Sequence, residues 1–259
     1  MLIENTLYGI KNKIQIAIER IKQFEPEEGY YVAFSGGKDS ITVLDLVKKS
    51  NVKYDTHFNL TSVDPPELIQ YIKKYYPDVI IHRPKKTMFQ LILESGFPPT
   101  RRIRYCCEAL KEIGGINREV ITGIRWEESV KRSKRKLVEN CNKGYNKIYV
   151  NPIIDWSTKE IWEYINLNKL PYCSLYDEGY KRIGCIMCPQ KGKGMMRDAY
   201  RWPLFYQAYL NTFDKCIKIR RDRGLLIYQE TKEDFMKWWI KLNNRQDKKQ
   251  NEDQSLLFE

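Results

Sequence analysis

The stretch Tyr30-Tyr31-Val32-Ala33-Phe34-Ser35-Gly36-Gly37-Lys38-Asp39-Ser40 constrains this chain more than any other. An apolar run enters it, and an amphipathic pattern leaves it with Ile41, Leu44, Leu46 and Val47 on the apolar side. The reading is strand, tight glycine loop, helix. Such a junction aims several backbone N–H groups and the positive end of a helix dipole at one spot in front of the strand. Gly36 and Gly37 let the backbone approach an anion closely, Lys38 adds a full charge, and Ser35 and Ser40 offer hydroxyls. Asp39 is the candidate for ordering the loop or holding Mg²⁺. The expected ligand is a phosphate or pyrophosphate. The plain alternative is a turn that needs glycine only to bend. The spacing is not that of the ordinary P-loop.

Around this junction, strand and helix patterns alternate. Residues 6–24 read as an amphipathic helix ended by Pro26 and Gly29. Strands are expected at 30–34, 53–60, 79–82, 119–122 and 148–151, and helices starting at Asp64-Pro65-Pro66-Glu67, over 88–93 and 104–112, and from a cap at Asp155 or Ser157 to about Asn168. This order implies an α/β fold with a doubly wound parallel sheet that binds ligands at the carboxyl ends of its strands. From about residue 170 the chain turns irregular and cysteine-bearing, with helical patterns near 197–222 and 231–243 and a polar stretch over Asn244–Gln254. The expected organisation is an N-terminal helix over 1–28, a nucleotide-binding α/β domain over 29–170, and a C-terminal appendage over 171–259.

The 259 residues suffice to bury a sizeable core, and an apolar fraction of 42% with 18 tyrosines and 6 tryptophans argues for a folded chain. No apolar run approaches the ~20 residues of a membrane span, and Met1–Asn5 lacks a signal-peptide layout. A cytoplasmic location without membrane partners is expected. There, seven cysteines point to metal or catalysis before disulfides. The net charge of +12 fits an anionic partner, nucleic acid or a phosphorylated small molecule, and equally a basic surface that serves only solubility.

Cys106-Cys107 begins a helical pattern, and Cys185-Ile186-Met187-Cys188 forms a glycine-flanked C-x-x-C. A C-x-x-C turn brings two sulfurs together. Adjacent cysteines diverge, which suits a cluster whose separate irons each take one thiolate better than a single tetrahedral zinc. An iron–sulfur cluster on these four is the first reading, zinc the second, reduced bystanders the third. Cys216 reads as helix core; Cys141 in a basic loop and Cys173 near an irregular turn are candidates for exposure, and one of them for carrying sulfur.

Thr122-Gly123-Ile124-Arg125 puts Arg125 at a strand's carboxyl end, where it would grip a phosphate or sulfate in bidentate fashion. Glu128 would orient it, with Ser129 and Arg132 adding contacts; the alternative is an ordinary salt-bridged surface turn. The run Lys131–Lys136, with Arg101, Arg102, Arg104, Lys181 and Arg182, would rim the site and track a polyanion, or else forms a solvated loop. His57 is expected to face the sheet and His82 to end a strand near the site.

Ser35–Ser40 resembles the PP-loop of the ATP pyrophosphatase superfamily. RIRYCCEALK (102–111), TGIRWEESVKR (122–132), Asn151–Ile165 and Leu170–Pro189 are similar, in order, to the phosphoadenosine-phosphosulfate reductase branch. The resemblance implies an adenine nucleotide alpha hydrolase-like fold with an adenine nucleotide such as ATP at Ser35, Gly36, Gly37, Lys38, Asp39, Ser40, Gly123, Arg125, Ser129 and Arg132. It makes Lys38, Asp39, Arg125 and Glu128 the catalytic candidates. The paired cysteines plus C-x-x-C match the pattern that implies a [4Fe–4S] cluster in assimilatory adenylyl-sulfate reductases. Reductases of this branch attack sulfur with a cysteine in a C-terminal Glu-Cys-Gly-type tail, and residues 217–259 contain no cysteine. The first expectation is therefore adenylation of a substrate with ATP and Mg²⁺, pyrophosphate release and sulfur transfer, as in DNA phosphorothioate modification. Its partners would be DNA or RNA and a cysteine desulfurase or other sulfur donor. The alternatives are a sulfonucleotide reductase releasing sulfite and a non-catalytic nucleotide-binding subunit.

Overall fold

A computed structural model describes residues 2–6, 9–141 and 145–244; of the polar stretch expected over Asn244–Gln254, all but Asn244 lies outside them. In chain order the first elements are β1 (Ile3–Thr6), β2 (Gly9–Asn12), α1 (Lys13–Gln23), β3 (Tyr30–Ala33), α2 (Lys38–Ser50), β4 (Tyr54–Asn59), α3 (Pro66–Tyr75), β5 (Ile80–His82), α4 (Met88–Ser95) and α5 (Tyr105–Leu110). After them come β6 (Glu119–Ile121), β7 (Val138–Asn140), β8 (Ile148–Val150), α6 (Thr158–Leu167), α7 (Gly194–Arg201), α8 (Pro203–Asp222) and α9 (Lys232–Asn244).

The described chain divides into two units that interleave in sequence: Met1–Asn59, Pro66–His82 and Ile113–Ile183 form the first, and Leu60–Pro65, Arg83–Glu112 and Gly184–Glu259 the second. The first unit holds a six-stranded sheet of order β5-β4-β3-β6-β8-β7. All pairs are parallel except the edge strand β7, which runs antiparallel to β8 and which sequence patterning did not reveal. From β3 the chain moves outward through β4 to β5, then returns to place β6 on the other side of β3. The switch point between β3 and β6 is where an open α/β sheet offers a crevice to a ligand.

The four apolar positions that define the inner side of α2, Ile41, Leu44, Leu46 and Val47, are all buried. Val32, Phe58, Val120, Ile121 and Val150 of the sheet are buried as well; Val120 and Ile121 are consecutive in β6 and so face opposite sides of it. Ser157 caps α6 through a capping box with Glu160. The helix expected over 6–24 begins only at Lys13. Asn12 Oδ1 accepts the Ile14 and Gln15 N–H groups, and the residues before it pair as the β1–β2 hairpin.

The second unit is built on helices. α8 packs on α4 and α9 through Phe89–Tyr209, Phe213–Phe235 and Tyr209–Trp239, whose rings are 5.2, 4.8 and 5.2 Å apart. Trp239 Nε1–H donates to the Pro99 carbonyl at 2.7 Å. Cys216 lies fully buried in this core, its thiol donating to the Gly96 carbonyl.

Candidate functional site

In the first unit, the loop after β3 takes the shape its glycines permit. Gly36 has φ +67°, a backbone conformation that favours glycine, and a Cβ there would also press on Leu68 Cδ1 at 2.7 Å. Ser40 Oγ donates to the Gly37 carbonyl at 2.9 Å and accepts from the Ser35 N–H and hydroxyl, each at 3.2 Å. The loop thus closes on its own serines. The Lys38 N–H, at the start of α2, donates to Tyr176 Oη at 2.8 Å. Burial pushes the Tyr176 hydroxyl's pKa up, so it stands there as a neutral phenol. Trp162 and Tyr172 pack edge-on against its ring at 5.1 and 6.3 Å.

Asp39 joins this loop to the end of β6. Its Oδ1 accepts from Arg125 Nε at 2.7 Å, and its Oδ2 lies 3.1 Å from Lys38 Nζ. Arg125 is 1% exposed. Beyond Asp39 its guanidinium donates to Glu127 Oε2, to the Trp156 carbonyl and to Thr158 Oγ1, at 3.0, 3.0 and 3.2 Å. The expected bidentate anion grip is therefore replaced here by four hydrogen bonds within the protein. Glu127 also accepts the Thr158 N–H. Burial alone would raise its pKa, but the Thr158 N–H and hydroxyl, with Arg125, hold the carboxyl below its usual range. Gly123 lets these pieces meet: a Cβ there would fall 2.9 Å from the Asp39 carbonyl carbon.

Of the remaining expected residues, Glu128 accepts the backbone N–H of Arg125 at 3.0 Å and pairs with Arg132. Of the two adjacent glutamates it is Glu127, alongside Asp39, that meets the Arg125 guanidinium. Ser129 Oγ accepts the Arg132 N–H at 3.2 Å, closing a local turn. In the basic run, Arg132 and Arg135 are tied to Glu128 and Glu139, whereas Lys131, Lys134 and Lys136 are exposed. Sequence reasoning missed Glu127, Thr158, the Trp156 carbonyl and Tyr176. Glu127 is adjacent to the acid it favoured, but nothing local marks Tyr176, which reaches the loop from 138 positions away.

The two histidines contact one another. His57 Nδ1 lies 2.8 Å from His82 Nε2, while His57 Nε2 faces Asp55, itself held by Arg118. Tyr31 stacks on His57 at 3.9 Å. Burial lowers the His57 pKa.

The four cysteines all belong to the second unit. Cys106 and Cys185 are buried and Cys107 and Cys188 half-buried, and each pair feels the charge of the other. The Cys106 thiol, followed by Arg104, holds the Cys107 thiol's pKa below its ordinary value against the opposing effect of burial; Arg104 Nη2 donates to Cys107 Sγ at 3.2 Å. The Cys185 sulfur, with Asp64, raises the Lys111 pKa. Cys185 Sγ lies 3.4 Å from Thr61 Oγ1. Among the described residues, no three cysteine, histidine or acidic side chains stand close enough to hold one metal ion. The donor set is four thiols beside cationic groups, a chemistry that fits a cluster of net negative charge. Of the two candidates for exposure, Cys141 is half-buried and Cys173 is fully buried, in the first unit.

A model of the phosphoadenosine phosphosulfate reductase domain matches residues 29–191. The chain is 34% identical over 167 residues to an adenosine 5'-phosphosulfate reductase of Oceanobacillus iheyensis, covering 60% of this chain and 69% of that one. It is 32% identical over 194 residues to an uncharacterized protein of Methanocaldococcus jannaschii, covering 70% of this chain but only 40% of that protein's length. Among solved structures, phosphoadenylyl-sulfate reductase from Candida auris in a phosphate complex superposes with TM-score 0.50 at 22% identity, covering 65% of this chain and 87% of that one. That likeness speaks to the fold. No helix among the described residues is long and apolar enough to cross a membrane.

Proposed function

Because the chain belongs to the phosphoadenosine phosphosulfate reductase domain family, we propose that it is a sulfonucleotide reductase of the adenylyl-sulfate type. The observation that carries this reading is that the second unit holds all four thiols of the paired cysteines and the C-x-x-C, with Arg104 donating to Cys107. The similarity to adenosine 5'-phosphosulfate reductases supports it.

In this account the nucleotide's anionic group sits before the Ser35–Ser40 loop. The Lys38 N–H exchanges Tyr176 Oη for an anionic oxygen, and Lys38 Nζ supplies charge. Asp39 holds Lys38 against Arg125, so the ammonium is placed before the ligand arrives. A thiolate attacks the sulfur, the sulfur–oxygen bond to the phosphate breaks, and AMP leaves with the electron pair. The resulting thiosulfonate is then cleaved by a second thiol, giving a disulfide and sulfite. Cys106, Cys107, Cys185 and Cys188 would hold a [4Fe–4S] cluster, which supplies polarisable, redox-active iron and sulfide.

A second reading, adenylation with ATP and Mg²⁺ followed by sulfur transfer, has its own support. Four cysteines would be taken by the cluster, Cys173 and Cys216 are fully buried, and residues 217–259 contain no cysteine. Half-buried Cys141 is the remaining thiol, so the attacking sulfur of a reductase would be Cys141 or a partner's. In the second reading a Mg²⁺ ion at Asp39 would share its oxygens with Arg125 and Lys38, since each already meets one of them.

Calorimetric titration separates the two. The first reading expects adenylyl sulfate to bind more tightly than AMP and ATP with Mg²⁺ to release no pyrophosphate. Pyrophosphate release from ATP, with adenylyl sulfate bound no better than AMP, would favour the second.

A further inference from the structure

Met187, between the two cysteines of the C-x-x-C, has φ +56°. A residue with a β-carbon stays in this left-handed region only where its surroundings hold it there. The neighbours of the turn do so through its backbone. The Ile186 N–H donates to the Val63 carbonyl at 2.7 Å, and Tyr209 Oη donates to the Ile186 carbonyl at 3.4 Å. The Met187 N–H donates at 2.8 Å to Oδ2 of Asp198, a fully buried acid in α7. Lys191 Nζ meets the same oxygen at 2.6 Å and lies 3.5 Å from the carbonyl of Gly184, the residue before Cys185. One carboxylate and its lysine thus clasp the turn on both flanks of the first cysteine.

Stability alone does not select such a pair. Asp198 Oδ1 is buried with no hydrogen-bond partner among the described residues, and a buried ion pair is often matched or bettered by apolar side chains of similar volume. We propose that Asp198 is a positioning residue for the metal-binding thiols. By accepting the Met187 N–H it fixes the left-handed residue of the chelate turn, and with it the aim of Cys185 and Cys188. Lys191 neutralises the carboxylate and carries the clasp to Gly184. What the turn holds rests on the cluster reading given above; how it is held does not.

The test is a chelator titration of the full chain, reconstituted without oxygen with iron and sulfide, in which the iron and acid-labile sulfide that remain are measured. Asp198→Leu with Lys191→Met removes the acceptor and leaves no unpaired charge. The chelator concentration that strips half the iron should fall at least about tenfold, as for other groups that orient metal ligands. Asp198→Asn with Lys191→Met keeps a side-chain oxygen for the Met187 N–H and should hold iron as the wild type does. Phe235→Ala, which breaks the ring pair with Phe213, controls for general loss of stability: its urea midpoint should fall and its iron should stay. Asp198→Ala with Lys191→Met replaces the leucine variant if circular dichroism shows that one unfolded. Loss of the fold in both would mean that Asp198 holds the unit and not the turn, and would overturn the proposal. Equal iron retention by the leucine and asparagine variants would overturn it too, as would equal iron loss from Phe235→Ala. Wild-type protein that holds zinc without sulfide would sink the cluster reading alone. The same variants, titrated for zinc, would then decide the role of Asp198 by the same comparison.

Discussion

Asp39 stands between Lys38 and Arg125, with Arg125 Nε 2.7 Å from Oδ1 on the side away from the lysine. The pair ties the first turn of α2 to the residues after β6, so the loop and the far side of the switch point act as one piece. Arg125 is almost wholly buried, and removing one partner of a buried ion pair costs more than the pair contributes. Asp39→Asn should therefore lower stability by about 3–5 kcal/mol, read as a reduced urea midpoint at unchanged slope. Arg125→Lys, which keeps charge but loses the planar fork, should destabilise as well. A loss under about 1 kcal/mol in both would put the pair among ordinary surface bridges.

Tyr176 occupies a loop N–H that an anion would use. Tyr176→Phe should destabilise the free protein by about 1 kcal/mol, since the Lys38 N–H loses its acceptor. The same change should tighten nucleotide binding about fivefold, because the ligand no longer displaces a hydroxyl. Calorimetry that shows weaker binding would instead make Tyr176 a direct ligand contact.

Much of this was legible in the sequence. The glycine pair, the alternating strand and helix patterns and the apolar side of α2 are local signals, and local signals predict a doubly wound sheet. The β1–β2 hairpin and the edge strand β7 were hidden because their residues lack a clear period-two pattern. At the site, Lys38, Asp39 and Arg125 could be named from motif blocks, but not that Arg125 would spend its guanidinium on Glu127, Trp156 and Thr158. Trp156 and Thr158 are tertiary neighbours, 31 and 33 positions away, and for the local partner no spacing rule selects one adjacent glutamate over the next. Cys173 misleads for a related reason: a segment of irregular pattern can still be packed inside.

The four cysteines make a compositional prediction. Protein purified without oxygen should carry iron and acid-labile sulfide in equal amounts, and Cys106→Ser or Cys188→Ser should remove both together. Stoichiometric zinc without sulfide would show that the four thiols hold a different metal.

Acid should weaken the first unit through Asp55 and His57. Burial lowers the folded pKa of His57 below its unfolded value, so the unfolded chain takes up the proton first. This contribution is fully present above about pH 6.5 and is lost as pH falls from there toward the lowered folded value. Burial would raise the Asp55 pKa, but Arg118 and His57 hold it below the ordinary value, so its share is lost at lower pH, below about 4. Thermal midpoints should fall between pH 7 and 5, and His57→Gln should flatten that limb. A midpoint that is level across this range would contradict the assignment.

The central claim, that this chain turns over a sulfonucleotide at the Asp39-centred loop, is met most directly by one reaction. Cluster-loaded protein is incubated anaerobically with adenylyl sulfate and a dithiol, and AMP and sulfite are measured for the wild type and Lys38→Ala. The account predicts equal amounts of the two products and a loss of at least about tenfold in the variant, from a charge-assisted hydrogen bond worth about 1.5–3 kcal/mol. No sulfite from protein whose cluster is intact, together with pyrophosphate from ATP and Mg²⁺, would contradict it.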